Sequence, residues 1–571
     1  MNMKAMIKII LLSCVLISCS QPPKKDVQQY DVVILEGSVI DGSGSHARKE
    51  DVAIRGKNIV KIGNLEDYKA KKTINAQGMV VTPGFINMLS WATDSLVNDG
   101  RGLSDVVQGV TLEVFGEGWS MGPLTEKSKL EAQKGINKSP QPYKIEWNTL
   151  EEYLEFLQHK GVSPNIASFV GATTVRINAM GEVNRAPTEH ELQDMKQQVD
   201  QAMRQGAMGV GSALIYAPGF YAKTPELIAL SKVAAKYDGM YISHMRSEGN
   251  QLTEAVDELI EIAQKANIRA EIYHLKASGK SNWPKMKLVI EKVNDARKDG
   301  LKISADMYTY PAGATGLDAA MPPWVQEGGY DAWAKRLQNK AIRAKVIKEM
   351  STPTNEWENL LIAAGAKGVL LPYFRNPKLK KYQGMTLAAV AKAMGETPQD
   401  SAIDLVIKDG TRVEAIYFLM SEDNIELEIK QPWVSFGSDG EAPDPEVAKK
   451  FGSTHPRTYG NFSRVIARYV RDNKDLTLEE AVRKLTSLPA SHLKIKKRGL
   501  LKEGYFADVL VFDPKKVQDH ATFENPHQLS TGMDKVFING TLVVDKGHHN
   551  GALPGMIVRG PGWTGAKNTK L

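Results

Sequence analysis

The chain has 571 residues, and its hydrophobic (42%) and charged (24%) fractions are those of an ordinary globular protein. This length suffices for one large domain and a second, smaller one. The formal net charge of +7 is modest for the size, and no basic cluster with interleaved aromatic residues occurs. The composition therefore gives no reason to expect nucleic-acid binding.

The first residues are typical of an export signal. Lys4 and Lys8 precede the apolar run IILLSCVLI, which is too short to cross a bilayer. The run ends in Leu-Ile-Ser before Cys19, a pattern that is similar to a bacterial lipobox. We therefore expect a signal peptide over residues 1–18, lipidation of the Cys19 thiol, and a tether over residues 19–29. A plain secretory signal that is cut elsewhere is the alternative.

The same segment bears on location and on metal chemistry. Ser20 follows the lipidated cysteine and favours the outer membrane of a Gram-negative bacterium, with the protein on its periplasmic side and the lipid as its membrane contact. Both cysteines of the chain, Cys14 and Cys19, lie in this leader. The mature protein then has no disulfide and no thiolate ligand, so a metal site must use histidine, carboxylate and water.

Both ends of the remaining chain predict short β-strands. In residues 30–80 and 495–560, apolar and polar residues alternate and glycines interrupt the runs. Because an α/β middle separates these ends, we expect them to assemble into one small β-sandwich domain.

The middle of the chain, residues 81–494, predicts strands that alternate with helices. The eight strand candidates are MVVTPGFINML, VTLEVFG, NIASFVGA, MGVGSALIYAP, MYISHMR, AEIYHLKA, KISADMYTYPAG and WVSFGSDG. A capping box from Thr188 to Glu191 marks one helix start. The alternation predicts an α/β fold, a (β/α)8 TIM-like barrel. Residues 318–432 separate the last two strands and predict a helical insertion or lid over the barrel mouth.

Two histidines end neighbouring strands of this predicted barrel, His244 in MYISH and His274 in AEIYH. The carboxyl ends of parallel barrel strands meet at one face, where active sites lie. The two imidazoles could therefore share a metal ion. The alternative is two unrelated histidines at strand ends.

Two carboxylates also follow predicted strands. A catalytic zinc usually has three protein ligands, and without cysteine the third must be Glu117, after strand two, or Asp439, after strand eight. We assign Glu117 as the ligand and Asp439 as the acid and base that moves a proton from water to the leaving amine. Alternatively, Asp439 is a turn residue in Ser-Asp-Gly, and Glu117 is a loop carboxylate in a glycine-rich turn.

Several short motifs occur in order along nearly the whole mature chain. They are PGFI (83–86), YAPG (216–219), HMRSE (244–248), HLKA (274–277), GSDG (437–440), HPRTYG (455–460) and GALPG (551–555). Together they resemble the D-aminoacylase (N-acyl-D-amino-acid deacylase) family of the amidohydrolase superfamily. The resemblance implies a zinc-binding barrel with a small β-sandwich. It also implies hydrolysis of N-acyl-D-amino acids to a carboxylate and a free D-amino acid.

The resemblance implies roles for individual residues. His244 and His274 match the zinc-binding histidines of the family, and Asp439 matches its catalytic aspartate. The positions that hold the carboxylate and amide of the substrate match Lys276, Tyr216 and Tyr308.

The chain also departs from the family pattern. Relatives have a His-x-His pair at the end of strand one, where this chain has Leu89 and Trp91, and a cysteine ligand where it has Glu117. Ala314 replaces a serine that contacts the substrate. We therefore expect one zinc ion per chain on Glu117 and the two histidines, although a carboxylate ligand also suits manganese or iron. Trp91 would shape the pocket, stack on the acyl group or only pack inside the barrel.

Three functions follow from these residues. The first is deacylation of N-acyl-D-amino acids, with a small molecule as the binding partner. The second is a related amidohydrolase that acts on dipeptides or cyclic amides. The third is a lipoprotein that binds a ligand without turnover, which the loss of His-x-His supports and the retention of Asp439 and Lys276 opposes. Arg246 and Glu248 are expected to pair with each other behind the site.

Overall fold

The structure is a computed structural model that describes residues 28–565. Cys19, the predicted signal peptide and most of the tether lie outside the described residues. Within residues 28–565, no helix has both the length and the apolar character needed to cross a membrane.

The chain begins with strands of the small domain. They are β1 (Gln28–Val39), β2 (Arg48–Arg55), β3 (Asn58–Gly63), β4 (Tyr68–Asn75) and β5 (Val80–Pro83). One edge of β1 pairs with β2, while its other edge pairs first with β4 and then with β5. The sheet therefore divides along β1 into two layers. Alternating apolar side chains such as Ile34, Val52 and Val81 fill the space between the layers.

The barrel follows directly. Its first strands are β6 (Phe85–Asn87), β7 (Val110–Phe115), β8 (Asn165–Ser168), β9 (Val170–Gly171), β10 (Gly209–Ala213), β11 (Met240–His244), β12 (Arg269–Ile272) and β13 (Ile303–Met307). β8 and β9 are one barrel strand interrupted at Phe169, whose N–H donates to the carbonyl of Phe115 on β7. All neighbouring pairs are parallel.

Nine α-helices follow or precede these strands, and most of them cover the outside of the barrel. They are α1 (Thr93–Asn98), α2 (Leu103–Val106), α3 (Glu126–Ile136), α4 (Leu150–Lys160), α5 (Ala172–Met180), α6 (Glu189–Arg204), α7 (Thr224–Ala235), α8 (Leu252–Ala266) and α9 (Lys285–Lys298). The predicted capping box opens α6, because the Thr188 hydroxyl accepts from the Glu191 N–H and the Glu191 carboxylate accepts from the Thr188 N–H. Met195 and Val199 bury one face of this helix.

An insertion separates the seventh and eighth barrel strands. Its elements are β14 (Gly313–Gly316), α10 (Tyr330–Arg336), α11 (Lys340–Met350), α12 (Leu360–Ala364), β15 (Val369–Leu371), β16 (Met385–Thr386), α13 (Leu387–Met394), α14 (Pro398–Asp409), β17 (Glu414–Tyr417) and α15 (Glu422–Ile429). Besides the expected helices it contains a small antiparallel sheet in the order β14, β17, β15, β16. The insertion has an apolar cluster of its own, which reaches Tyr308 and Tyr310 at the barrel mouth.

The last barrel strand and the return to the small domain complete the fold. These elements are β18 (Val434–Phe436), α16 (Pro445–Ala448), α17 (Arg457–Arg464), α18 (Leu478–Leu485), α19 (Ser487–His492), β19 (Val509–Phe512), β20 (Met533–Ile538), β21 (Thr541–Asp545) and β22 (His548–His549). β18 pairs with β13, and the Met88 N–H donates to Phe436 O, which closes the barrel. β19 pairs with β5, so both chain ends share one sheet.

A buried polar network joins the small domain to the barrel. Arg498 pairs with Asp508 and also donates to the Asn539 side chain, which in turn donates to Asn165 on β8. The predicted (β/α)8 barrel with a β-sandwich built from both chain ends is confirmed.

Candidate metal centre and active site

The predicted site residues meet at the carboxyl ends of the barrel strands. Glu117 lies two residues after β7, His244 is the last residue of β11, and His274 lies two residues after β12. Their exposed fractions are only 4%, 4% and 2%. Asp439, three residues after β18, is largely buried beside them. Parallel strands bring these distant residues to one face, as the barrel geometry predicts.

The three candidate ligands converge closely. The Glu117 Oε1 atom lies 3.1 Å from His244 Nδ1 and 2.9 Å from His274 Nε2. One ligand atom from each residue lies within 4.8 Å of the others. Burial opposes ionisation of Glu117, but the imidazoles outweigh it and lower the pKa of the carboxyl. Two imidazoles and one ionised carboxylate are a donor set that zinc takes at catalytic sites, so these residues fit the metal.

Glu248 supports one of these ligands from behind. Its Oε1 atom lies 3.0 Å from His274 Nδ1 and 2.7 Å from Lys276 Nζ, and Lys276 Nζ itself lies 2.7 Å from His274 Nδ1. Polar groups beside the second ring nitrogen orient a metal-binding histidine. The expected pairing of Arg246 with Glu248 is wrong, because Arg246 instead binds Glu258 of α8 at 2.8 Å.

Two site residues adopt an unusual backbone conformation. His274 has φ 35° and Asp439 has φ 50°, both in the left-handed region that side chains other than glycine rarely adopt. The His274 N–H donates to Asp306 Oδ1 at 3.0 Å, and the Asp439 N–H donates to Leu89 O at 2.9 Å. Such strain persists where the surroundings hold it in place, and it concentrates at functional sites.

Asp439 is held by two partners. Its Oδ2 atom forms an ion pair with Arg457 Nη1 at 2.8 Å, and its Oδ1 atom accepts from the Trp91 indole N–H at 3.1 Å. Burial raises the pKa of the Asp439 carboxyl above the ordinary aspartate value, although Arg457 opposes the shift. The side chain is thus fixed in orientation and remains a group that can both take and return a proton.

Comparison with known proteins identifies the family. A family model described as the amidohydrolase family matches residues 72–544. This chain belongs to the amidohydrolase family. The N-acyl-D-glutamate deacylase of Alcaligenes xylosoxydans xylosoxydans is 30% identical over 536 residues, which cover 93% of this chain and 97% of the relative. The resemblance to the D-aminoacylase group is therefore confirmed.

Solved structures support the same grouping within the amidohydrolases. The N-acyl-D-glutamate deacylase of Bordetella bronchiseptica, complexed with zinc and a phosphonate mimic of the tetrahedral intermediate, matches with TM-score 0.77 and 28% identity. A D-aminoacylase structure also matches, with TM-score 0.77 and 28% identity. That protein has a binuclear metal center, in which one metal is reported to activate and a second metal to attenuate. Each alignment covers 93% of this chain and 100% of the other.

At the end of strand one, this amidohydrolase has Leu89 and Trp91 where the family resemblance implies a metal-binding His-x-His pair. Leu89 is fully buried in an apolar cluster of the barrel, so its side chain only packs. Trp91 lies at the cavity wall, where its Nε1 atom donates to Glu117 Oε2 at 3.0 Å as well as to Asp439. Trp91 therefore contacts both carboxylates of the site and does more than pack inside the barrel.

The predicted substrate-binding residues line a cavity of about 1000 Å³ at the barrel mouth. The Tyr216 ring lies 5.2 Å from the His244 ring. Lys276 Nζ and the Arg457 guanidinium lie 5.5 Å and 4.6 Å from the centre of the Tyr308 ring. The structure therefore brings Lys276, Tyr216 and Tyr308 to the metal ligands, and their roles toward a substrate stay predictions.

Sequence reasoning missed the role of Arg457. The residue lies in the HPRTYG motif at the start of α17, yet it pairs with Asp439, and its Nη2 atom donates to Ala314 O at 3.4 Å. The motif signalled that the position matters, but only the packing of α17 against the barrel mouth identifies its partner. His455 in the same motif is buried in the cavity wall, where its Nε2 atom lies 2.8 Å from Ala312 O.

Proposed function

We propose that this amidohydrolase deacylates N-acyl-D-amino acids in a zinc-dependent reaction that releases a carboxylate and a free D-amino acid. The observation that carries the proposal is the site itself. Glu117, His244 and His274 converge on one point, with Asp439 beside them, in a cavity that also holds Lys276.

The relatives support the substrate class. The similar proteins are named as deacylases of N-acyl-D-glutamate and as a D-aminoacylase, and one of them was solved with zinc. The similar D-aminoacylase is reported to be activated by one metal, and the three converging ligands of this chain suit one ion. Ligand binding without turnover has less support, since the complete ligand set and Asp439 are present.

The chemistry is amide hydrolysis. Glu117, His244 and His274 would hold the zinc ion, which would make a water molecule more acidic and polarise the acyl carbonyl. Asp439 takes a proton from the water molecule as the water oxygen attacks the acyl carbon. The same carboxyl then donates this proton to the amide nitrogen as the C–N bond breaks, so the amino acid leaves as an amine.

Cationic groups beside the reacting centre suit a substrate with an α-carboxylate. Lys276 and Arg457 both approach the Tyr308 ring and are buried, so an anion that reaches them meets little competing water. Each cation has one carboxylate partner in the structure, Glu248 for Lys276 and Asp439 for Arg457. We propose that Lys276, Tyr216 and Tyr308 hold the α-carboxylate and amide of the substrate.

A panel of matched N-acetyl-D- and N-acetyl-L-amino acids tests the proposed function. We expect the zinc-loaded protein to release free amino acid from D-substrates faster than from their L-enantiomers. Preference for L-substrates, or no release from either series, would contradict the proposal. Dipeptides and cyclic amides belong in the same assay, because faster turnover of either would favour the second candidate function.

We also propose that the mature protein is lipid-anchored at Cys19 on the periplasmic side of the outer membrane of a Gram-negative cell. The support is the lipobox-like sequence with serine at the next position. We expect Cys19→Ala to move the protein from the outer-membrane fraction to the soluble or uncleaved fraction, as measured by fractionation and mass spectrometry. An unchanged distribution, without a lipid-sized mass on native Cys19, would refute the anchor.

A further inference from the structure

Trp91 contacts both carboxylates of the site but has no role in the proposed reaction. Its indole N–H donates to Glu117 Oε2 at 3.0 Å and to Asp439 Oδ1 at 3.1 Å. The other oxygens of these carboxylates point elsewhere, Glu117 Oε1 to the two imidazoles and Asp439 Oδ2 to Arg457. The N–H therefore lies between the two carboxylates and contacts the remaining oxygen of each.

Two carboxylates that converge on one point repel each other, and a cation or a shared proton usually relieves the repulsion. An indole N–H is a neutral donor that carries partial positive charge. It has no lone pair with which to bind a metal. Because both acceptor oxygens contact the same N–H, Trp91 occupies the position where a bridging cation would contact Glu117 and Asp439.

Leu89 excludes a ligand from the neighbouring position. Its side chain is fully buried and packs so closely that a Cβ added at Gly437 would lie 2.7 Å from Leu89 Cβ. The end of strand one thus presents one apolar side chain and one N–H donor to the site. Neither residue offers a ligand atom for a second ion.

We propose that Trp91 is a positioning residue that takes the place of a second metal ion. By holding Glu117 Oε2, it leaves Oε1 as the one oxygen that Glu117 offers to the zinc. By holding Asp439 Oδ1, it keeps that carboxylate out of the ligand set and free to move a proton. This inference rests on the proposed zinc site, but it does not depend on which substrate is hydrolysed.

The native protein provides the first test. Zinc-free protein is dialysed against increasing zinc, and bound metal is measured by mass spectrometry alongside tryptophan fluorescence. We expect uptake to stop at one equivalent, and turnover of the best substrate to stay constant in excess zinc. A second equivalent that binds at the site and lowers turnover would overturn the proposal without any variant.

Trp91→Phe removes the N–H and keeps an aromatic ring. We expect this variant to take up a second equivalent in excess zinc, because Glu117 Oε2 and Asp439 Oδ1 lose their shared donor. With cobalt(II) in place of zinc, we also expect weaker visible bands, since Glu117 can then bind through both oxygens and raise the coordination number.

Trp119→Phe is the matched control, because Trp119 lines the same cavity but packs against Tyr216. It should keep the native stoichiometry and cobalt spectrum. A folded Trp91→Phe protein with one zinc equivalent and the native cobalt spectrum would contradict the positioning role. If native protein hydrolyses no N-acyl-D-amino acid, the titration and the spectrum still decide this inference, so the two failures are distinguishable.

Discussion

Asp439→Asn is expected to lower kcat for N-acyl-D-amino acids by about 10²–10⁴-fold, the range that a general acid–base group contributes. The amide side chain has nearly the same shape and can still accept the Trp91 N–H, but it cannot take a proton from water. Because Asp439 is not among the three converging ligands, zinc should remain at one equivalent. Steady-state kinetics and metal analysis of the same preparation measure both effects.

The pH dependence provides a second measurement on the native enzyme. Burial raises the pKa of Asp439 above the ordinary aspartate value, against the opposing charge of Arg457. The base form is lost as the pH falls through the pKa of Asp439, so kcat/KM should decline on the acid side of the profile, and any residual activity of Asp439→Asn should lack this decline. Asp444→Asn is the control, because Asp444 lies in the same cavity wall but pairs with Arg101. Near-native turnover in Asp439→Asn would remove the proposed acid and base.

His274→Ala is expected to cost both metal and activity. The substitution removes one of three ligands and leaves Glu117 and His244 as an incomplete site. Loss of a residue that only hydrogen-bonds to a metal ligand typically lowers metal affinity by ~10–100-fold. Because His274 is itself a proposed ligand, we expect its loss to lower zinc affinity by more than this. Hydrolysis should fall to the level of chelator-treated native enzyme, and added zinc should restore only the native protein.

Glu248→Gln provides a smaller loss of zinc affinity with which the effect of His274→Ala can be compared. It keeps all three ligands but weakens the contact at His274 Nδ1, so the loss of zinc affinity should lie near ~10–100-fold. His190→Ala, on the exposed face of α6, should change neither zinc content nor kcat. Full zinc content and full turnover in His274→Ala would show that His274 is not a ligand of the catalytic metal.

The barrel and most of its site were readable from local sequence patterns. Eight apolar runs alternated with helix signals, and two of them ended in His244 and His274. Because the strands of a barrel are parallel, position at a strand end alone predicts which face a residue occupies. The absence of cysteine after residue 19 then required a carboxylate ligand, and the structure places Glu117 against both imidazoles.

The small sheet of the insertion was not readable in this way. The runs VLL and EAIY are too short to show a period, and helical segments surround them. A strand of three or four residues is stable only when a partner strand supplies its hydrogen bonds. The pairing of β15 with β17 joins residues more than forty positions apart, so only the folded chain reveals it.

The sequence by itself determined the fold class, the face of the site and the types of residue that meet there, because these depend on periodicity and on strand ends. Only the tertiary structure decided which side chains are partners. Arg246 meets Glu258 on the next helix and not the nearby Glu248, and Trp91 donates to Asp439 from 348 positions away. The Arg246–Glu258 contact forms when α8 packs beside the end of β11, and the Trp91–Asp439 contact forms only when barrel closure brings the first and last strands together. The position of a residue at a strand end specifies the face of the barrel on which it lies, whereas the packing of the folded barrel specifies which atoms are in contact.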